Sequence, residues 1–231
     1  LERSIKENKG QIFFNKKVTK IISKSNKIDS INVQDADSVT ENIKFDIVIS
    51  TVPYNVLDKL THISDPLKDS MSKVDYMSAI VMILILNEKV TNYYWLSIAD
   101  NEFPFLGLIE HTNLIPKSFY ADNNILYITN YVENDNSLLE LDYKELLDLY
   151  LPYLKKINNK FSTNWIKDYR FNKINYAQPI FPVNYSSIKI PLKLPLQGLY
   201  SANTAQIYPE DRGTNYSVAI AEKITKLIQN N

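Results

Sequence analysis

The chain has 231 residues, with no cysteine, two histidines and four glycines, against roughly 16 glycines at an average usage of about 7%. Four scattered glycines cannot supply the glycine-rich phosphate turns of a dinucleotide site or a P-loop, and the missing cysteine excludes thiolate metal sites, disulfides and cysteine nucleophiles. With 26 basic and 26 acidic residues the net charge is zero, so no basic stripe favours nucleic acid, while 45% hydrophobic content suffices for one large domain or two small ones.

In chain order, residues 1–9 read as the end of a helix stopped by Gly10. Gln11–Phe14, Lys17–Ser23 and Ile28–Val33 read as strands, the first two joined by Asn15–Lys16. After a polar turn, Asp35–Asn42, the run Ile43–Ser50 reads as one strand covered on both sides. Pro53 is suited to the first residue of a helix through about Leu60, and Asp65 to capping a short helix. The apolar run Met77–Leu86 is about half the length a membrane helix needs, so its β-branched part, Ala79–Leu86, predicts a buried strand. Tyr93–Ile98, Phe105–Glu110 and Ile125–Tyr131 are further strands.

Asp142 and Glu145 have capping-box spacing ahead of Leu146, Leu147, Tyr150, Tyr153, Leu154 and Ile157, which share a helical face, with Pro152 as a point where the helix can kink. Trp165–Ile174 is extended in character. Tyr176–Pro195 is rich in Pro and Tyr without periodicity, and its length suits a site lining better than a connection. Leu199–Ala202 is a short strand, and about Asn215–Gln229 a final helix. The charged opening LERSIKENKG does not read as a signal peptide, so a cytoplasmic location is expected, with no transmembrane segment. Leu1 in place of an initiator Met suggests a fragment.

Candidate chemistry is sparse. His62 and His111 lie in different elements, neither with a ligand-type partner at i+3 or i+4, so no metal site is expected. His62 suits a surface turn; His111, beside Glu110 at a strand end, suits either a pocket or a structural hydrogen bond. The richest stretch is Gly198–Ile224, GLYSANTAQIYPEDRGTNYSVAIAEKI. It reads as a strand, a loop of small polar residues and a helix whose first N–H groups are available to an electron-rich oxygen. Arg212 adds a charge and Gly213 permits close approach; Thr214 or Asn215 capping the helix is the plainer account.

This C-terminal stretch resembles the last flavin-contacting unit of the FAD-dependent amine oxidase superfamily, which includes monoamine oxidases, protoporphyrinogen oxidase and phytoene-desaturase-like enzymes. SANTAQIYPEDRGTNYSV, with EHTN and YAQP, is similar to bacterial amine-oxidase-like proteins, and both LERSIKENKGQIFFNKKVTKI and FDIVISTVP resemble upstream pieces of that family. The resemblance implies an α/β protein of α+β character: a mixed-sheet substrate domain with flanking helices, plus a partial FAD-binding domain. It assigns 1–52 and 198–231 to the FAD domain and 53–197 to the substrate domain.

It further implies that Val18 contacts adenine and that Thr51, Val52 and Pro53 approach the pyrophosphate. Asn203 stands where many relatives carry an acid, Arg212 adds its charge, and Gly213, Thr214, Asn215 and Tyr216 present amides to the flavin. Trp95, Glu110, His111, Asn113, Tyr131, Tyr176 and Gln178 are the candidate substrate residues; no residue is identified as a catalytic acid or base. The implied activity is oxidation of a C–N or C–C bond in a small-molecule substrate by hydride transfer to FAD. The alternatives are a non-redox flavin mutase or isomerase on a sugar nucleotide or lipid, and a non-enzymatic interaction or remnant domain. The family's N-terminal GxGxxG unit is absent, which predicts weak or no FAD binding by this chain alone and an inactive isolated chain.

Overall fold

The computed structural model describes residues 1–230 and divides into two compact units. The first comprises Leu1–Val74 with the chain from Phe181 onward, the second Asp75–Ile180. These divisions fall at 74/75 and 180/181, not at 52/53 and 197/198. Residues 53–74 form two short helices, α2 (Tyr54–Leu60) and α3 (Asp65–Ser72), that bury Tyr54, Leu57 and Met71 within the first unit. Residues 181–197 join it too: the Tyr185 ring packs on Phe181 and Tyr208, and its hydroxyl donates to the Ala205 carbonyl.

The first unit opens with α1 (Glu2–Glu7), closed by a Gly10 N–H bond to the Ile5 carbonyl. Strands β1 (Lys17–Lys24), β2 (Lys27–Gln34) and β3 (Thr40–Lys44) form an antiparallel sheet in that order. Ser25 and Asn26, both at positive φ, make the two-residue turn of the first hairpin. Gln11–Phe14 is not a strand: Phe13 and Phe14 are exposed, and this stretch pairs with no strand among the described residues. The expected strand Ile43–Ser50 is two elements, because β3 pairs with β2 whereas β4 (Val48–Ser50) runs parallel to β10 (Leu199–Ser201). The last helix, α5 (Thr214–Gln229), buries Ile220 and Ile224.

The second unit is a five-stranded antiparallel sheet built from β5 (Asp75–Leu86), β6 (Trp95–Ser97), β7 (Gly107–Glu110), β8 (Asn124–Val132) and β9 (Ile166–Ile180). The strand order is β6-β7-β8-β5-β9. Tyr176 and the residues after it, expected as an irregular segment, continue β9 through Ile180, past a bulge opposite Met77–Ala79. The helix α4 (Tyr143–Ile157) starts with the expected capping box: Asp142 accepts from the Glu145 N–H and Glu145 from the Asp142 N–H. Leu146, Tyr150 and Leu154, spaced by four, pack on Ile80, Met82, Leu84, Leu108, Leu126 and Ile128 of the sheet. Pro152 sits inside this helix without ending it. Among the described residues no helix is long and apolar enough to cross a membrane.

Gly198 makes the turn into β10. Its φ is +85°, and a Cβ there would lie 2.5 Å from the Asp46 carbonyl oxygen. We expect Gly198→Ala to destabilise the protein by about 2–3 kcal/mol through left-handed strain and backbone crowding, read as a lower urea midpoint at an unchanged slope.

Candidate functional site

In the first unit the parallel pair β4–β10 brings two sequence-distant loops together. Ala202 N–H donates to the Ser50 carbonyl as the strands end, and Asn203 Nδ2 donates to the Val52 carbonyl at 3.1 Å. Asn203 Oδ1 accepts from the Ala205 N–H, while the Asn203 N–H donates to Gln206 Oε1, which closes a capping box over the 3₁₀ turn Thr204–Gln206. An acid in place of Asn203 would have no N–H for Val52, a physical reason for an amide here. Two buried polar atoms without hydrogen-bond partners, Ser50 Oγ and Asn55 Oδ1, flank Thr51–Val52–Pro53.

A cleft of about 390 Å³ opens beside these loops, within the size range of small-molecule sites. Ile49, Thr51, Asn203 and Thr204 line it from the strand ends, and Ser217, Ile220 and Ile224 from α5. The helix starts at Thr214 with Gly213 as its N-cap and no side-chain cap bond, so neither Thr214 nor Asn215 caps it. Asn215 Oδ1 instead lies against Gly213, where a Cβ would collide with it. Tyr216 N–H donates to the Gly213 carbonyl, and the Arg212 N–H to Asp211 Oδ1. Val18 lies apart from this cleft, on a second one of about 880 Å³ over the β1–β3 sheet with Phe13, Ile31, Val33 and Phe45.

The register of the second unit sorts its candidate residues by face. Trp95, Ile109, Tyr127, Ile83 and Arg170 form one row across β6-β7-β8-β5-β9, and Tyr131, Ala79 and Ile174 part of another. All lie on the face opposite α4. Met77 pairs with Gln178 near the start of β5. His111 is tied in from the side: its Nε2 is 2.7 Å from the Tyr120 hydroxyl, and its ring lies edge-on to Tyr127. Trp95, at 58% exposure, Tyr127, Tyr131, His111 and Tyr120 thus form an aromatic and apolar surface. Residue type alone does not single out Tyr127 and Tyr120, although the alternation Ile125–Tyr127–Thr129–Tyr131 marks this face of β8.

Three candidates are occupied elsewhere. Glu110 is fully buried, and its Oε2 accepts from the Val90 and Thr91 N–H groups at 3.0 and 3.2 Å. Burial pushes its carboxyl up to about 7, against the pull of the Thr91 and Val90 N–H groups and the Lys89 charge. Asn113 Nδ2 donates to the Thr91 and Tyr93 carbonyls. Tyr176, at positive φ in the β9 bulge, packs edge-on against Tyr76. The described residues hold no cluster of His, Cys, Asp and Glu fit for a metal ion.

Comparison with known proteins agrees with this architecture. The family model of flavin-containing amine oxidoreductases matches residues 1–209. The chain belongs to that family. No protein of curated function matches the sequence. Among solved structures, the chain is similar to an oxidoreductase from Methanosarcina mazei, at 19% identity and a TM-score of 0.63, over 87% of this chain and 46% of that one. It is also similar to a protein from Exiguobacterium sp. 255-15 provisionally assigned as protoporphyrinogen oxidase, at 15% identity and a TM-score of 0.72, over 99% of this chain and 50% of the other. The fold is theirs, and the chain spans about half of their length.

Asn203 carries the joint between the two loops. Replacing it by Ala removes the bonds to Val52 and Ala205 and is expected to cost about 1–3 kcal/mol. Asn203→Asp should lose stability too, because its carboxylate faces the Val52 carbonyl. Urea unfolding of both variants checks this.

Proposed function

We propose that this chain is the later half of a flavin-dependent oxidoreductase that oxidises a C–N or C–C bond in a small molecule. The family match over residues 1–209 carries the reading. When bound, FAD supplies the hydride acceptor. Thr51–Pro53 and Asn203 would line its phosphate side, with Val18 toward the adenine. The uncapped N–H groups at the start of α5 suit an electron-rich carbonyl edge of the flavin, and the helix dipole favours negative charge there. The two orphaned polar atoms flanking Thr51–Pro53 fit the same group as unfilled hydrogen-bonding positions.

The open sheet face bearing Trp95, Tyr127, Tyr131 and His111 is the proposed substrate face. Its residues would orient an apolar substrate and exclude water, with the Tyr120-held His111 as its polar handle. A diphosphate substrate, the mark of a flavin mutase, would need free basic groups. Arg170, the arginine in the cross-sheet row, is instead held by Asp168 and the Tyr169 carbonyl. The redox reading is therefore preferred.

The cofactor site is proposed to be shared with a second half, for which two features speak. The relatives are twice as long, and the parallel sheet has two strands, with Ile47 and Ile49 each more than two-fifths exposed, whereas parallel sheets are normally larger and covered on both faces. Accordingly, the 231-residue chain should carry flavin far below stoichiometry after purification. The complete polypeptide encoded around this sequence should hold it and bleach on turnover. Stoichiometric flavin on the chain alone would overturn the shared site, and no flavin on the complete polypeptide would overturn the oxidoreductase reading.

A further inference from the structure

Between β5 and β6 the chain makes no regular structure, yet neighbouring elements hold it through several hydrogen bonds. Asn158 Nδ2 donates to the Val90 carbonyl at 3.1 Å, Asn113 Nδ2 to those of Thr91 and Tyr93, and the Glu110 N–H to that of Tyr94. The Val90 and Thr91 N–H groups both end on Glu110 Oε2. Val90 plugs the core at one end, and at the other Tyr93, Tyr94 and Trp95 lie 69%, 39% and 58% exposed. Of the side chains that hold this segment, Glu110 alone titrates near neutrality.

We propose that Glu110 is a positioning residue, the latch of an aromatic strap formed by Val90–Trp95, and that the charge on its carboxyl sets how firmly the strap lies on the sheet edge. The argument starts from the second carboxylate oxygen. Oε2 takes two backbone donors, but Oε1 is buried with no partner. A neutral acid tolerates that site; a carboxylate leaves a charged oxygen unsolvated in the core. Around it, α4 presents Leu146, Tyr150 and Leu154 on that side of the sheet, none of them charged at neutral pH. His111, next in the chain, is turned toward Tyr120 and Tyr127. Lys89, on the strap's own approach, is the charged group that acts on the carboxyl.

Lifting the strap removes the two N–H donors and admits water, so the opened state has a carboxyl close to its ordinary value of 4.5, against about 7 when closed. The closed state therefore keeps a proton to higher pH than the opened one. Closure is fully favoured below about 4.5 and is progressively lost as pH rises through 7, by up to roughly tenfold for each unit between those limits. Since Trp95 is the first residue of β6, loosening would also release a ring of the proposed substrate face. That last consequence rests on the flavin reading; the strap does not.

Amide hydrogen exchange on the intact chain tests the strap without flavin or substrate. Exchange at Val90 and Thr91, divided by the unprotected rate at each pH, should lose at least tenfold in protection between pH 5 and pH 8, while the β5–β8 ladder keeps its own. In Glu110→Gln, which preserves shape and an acceptor oxygen, protection at the two amides should not vary with pH. A flat profile in the unmodified chain overturns the proposal, as does an equal loss in the ladder, which would mean that the whole unit weakens. The same loss with pH in Glu110→Gln as in the unmodified chain overturns it as well. If that variant does not fold, the strap-to-ladder comparison in the unmodified chain decides alone.

Discussion

Strand β5 is hydrogen-bonded along both edges, to β8 on one side and β9 on the other, and the second unit depends on that double pairing. Because side chains alternate strictly along a strand, fixing both registers fixes every residue on two faces at once. Ile80, Met82 and Leu84 go to the α4 side and close a core with Leu126, Ile128, Leu146, Tyr150 and Leu154. The intervening Ala79, Val81, Ile83 and Ile85 are thereby committed to the other face, beside Tyr127, Tyr131 and Trp95. A slip of one residue would exchange the two sets, so the packed core and the aromatic face are consequences of a single register.

In the first unit a shorter pairing does comparable work. Three residues of β4 alongside three of β10 place Thr51–Pro53 next to Ala202–Asn203 across some 150 positions of sequence. The loops that leave those strands are joined by the Asn203 Nδ2–Val52 carbonyl hydrogen bond, so the geometry of this corner is directional. The neighbouring cleft has an apolar floor from Ile49, Ile220 and Ile224 and a polar rim from Thr51, Asn203, Thr204 and Ser217. Under the proposed flavin reading, that combination would suit a ligand with apolar surface held by a few oriented polar groups.

Much of the local structure was legible beforehand. The capping box of α4 and the buried strand around Ala79–Leu86 were read from residue type and spacing, because each depends on neighbours within four or five positions; the helix before Gly10 stops sooner, at Glu7, with Lys9 at positive φ. Where pairing partners lie far away, legibility failed. Ile43–Ser50 reads as one strand by alternation, but its halves hydrogen-bond to different sheets. Gln11–Phe14 reads as a strand and pairs with none among the described residues. Tyr176–Ile180 lacks periodicity because a bulge shifts its register, yet β5 recruits it.

The candidate site divides along the same line. Residue types alone marked the C-terminal strand, loop and helix start, and the absence of cysteine and the scarcity of glycine closed off whole classes of chemistry; composition and short-range order are carried by the chain itself. Tertiary structure decided what each polar group is free to do. Glu110, Asn113 and Asn203 are all polar residues at strand ends, but burial and backbone partners turn the first two into ties for the 90–94 segment and the third into the joint between β4 and β10. A carboxylate or amide is available to a ligand only if the fold has left its hydrogen bonds unmade, and that is settled by which distant backbone groups are brought beside it.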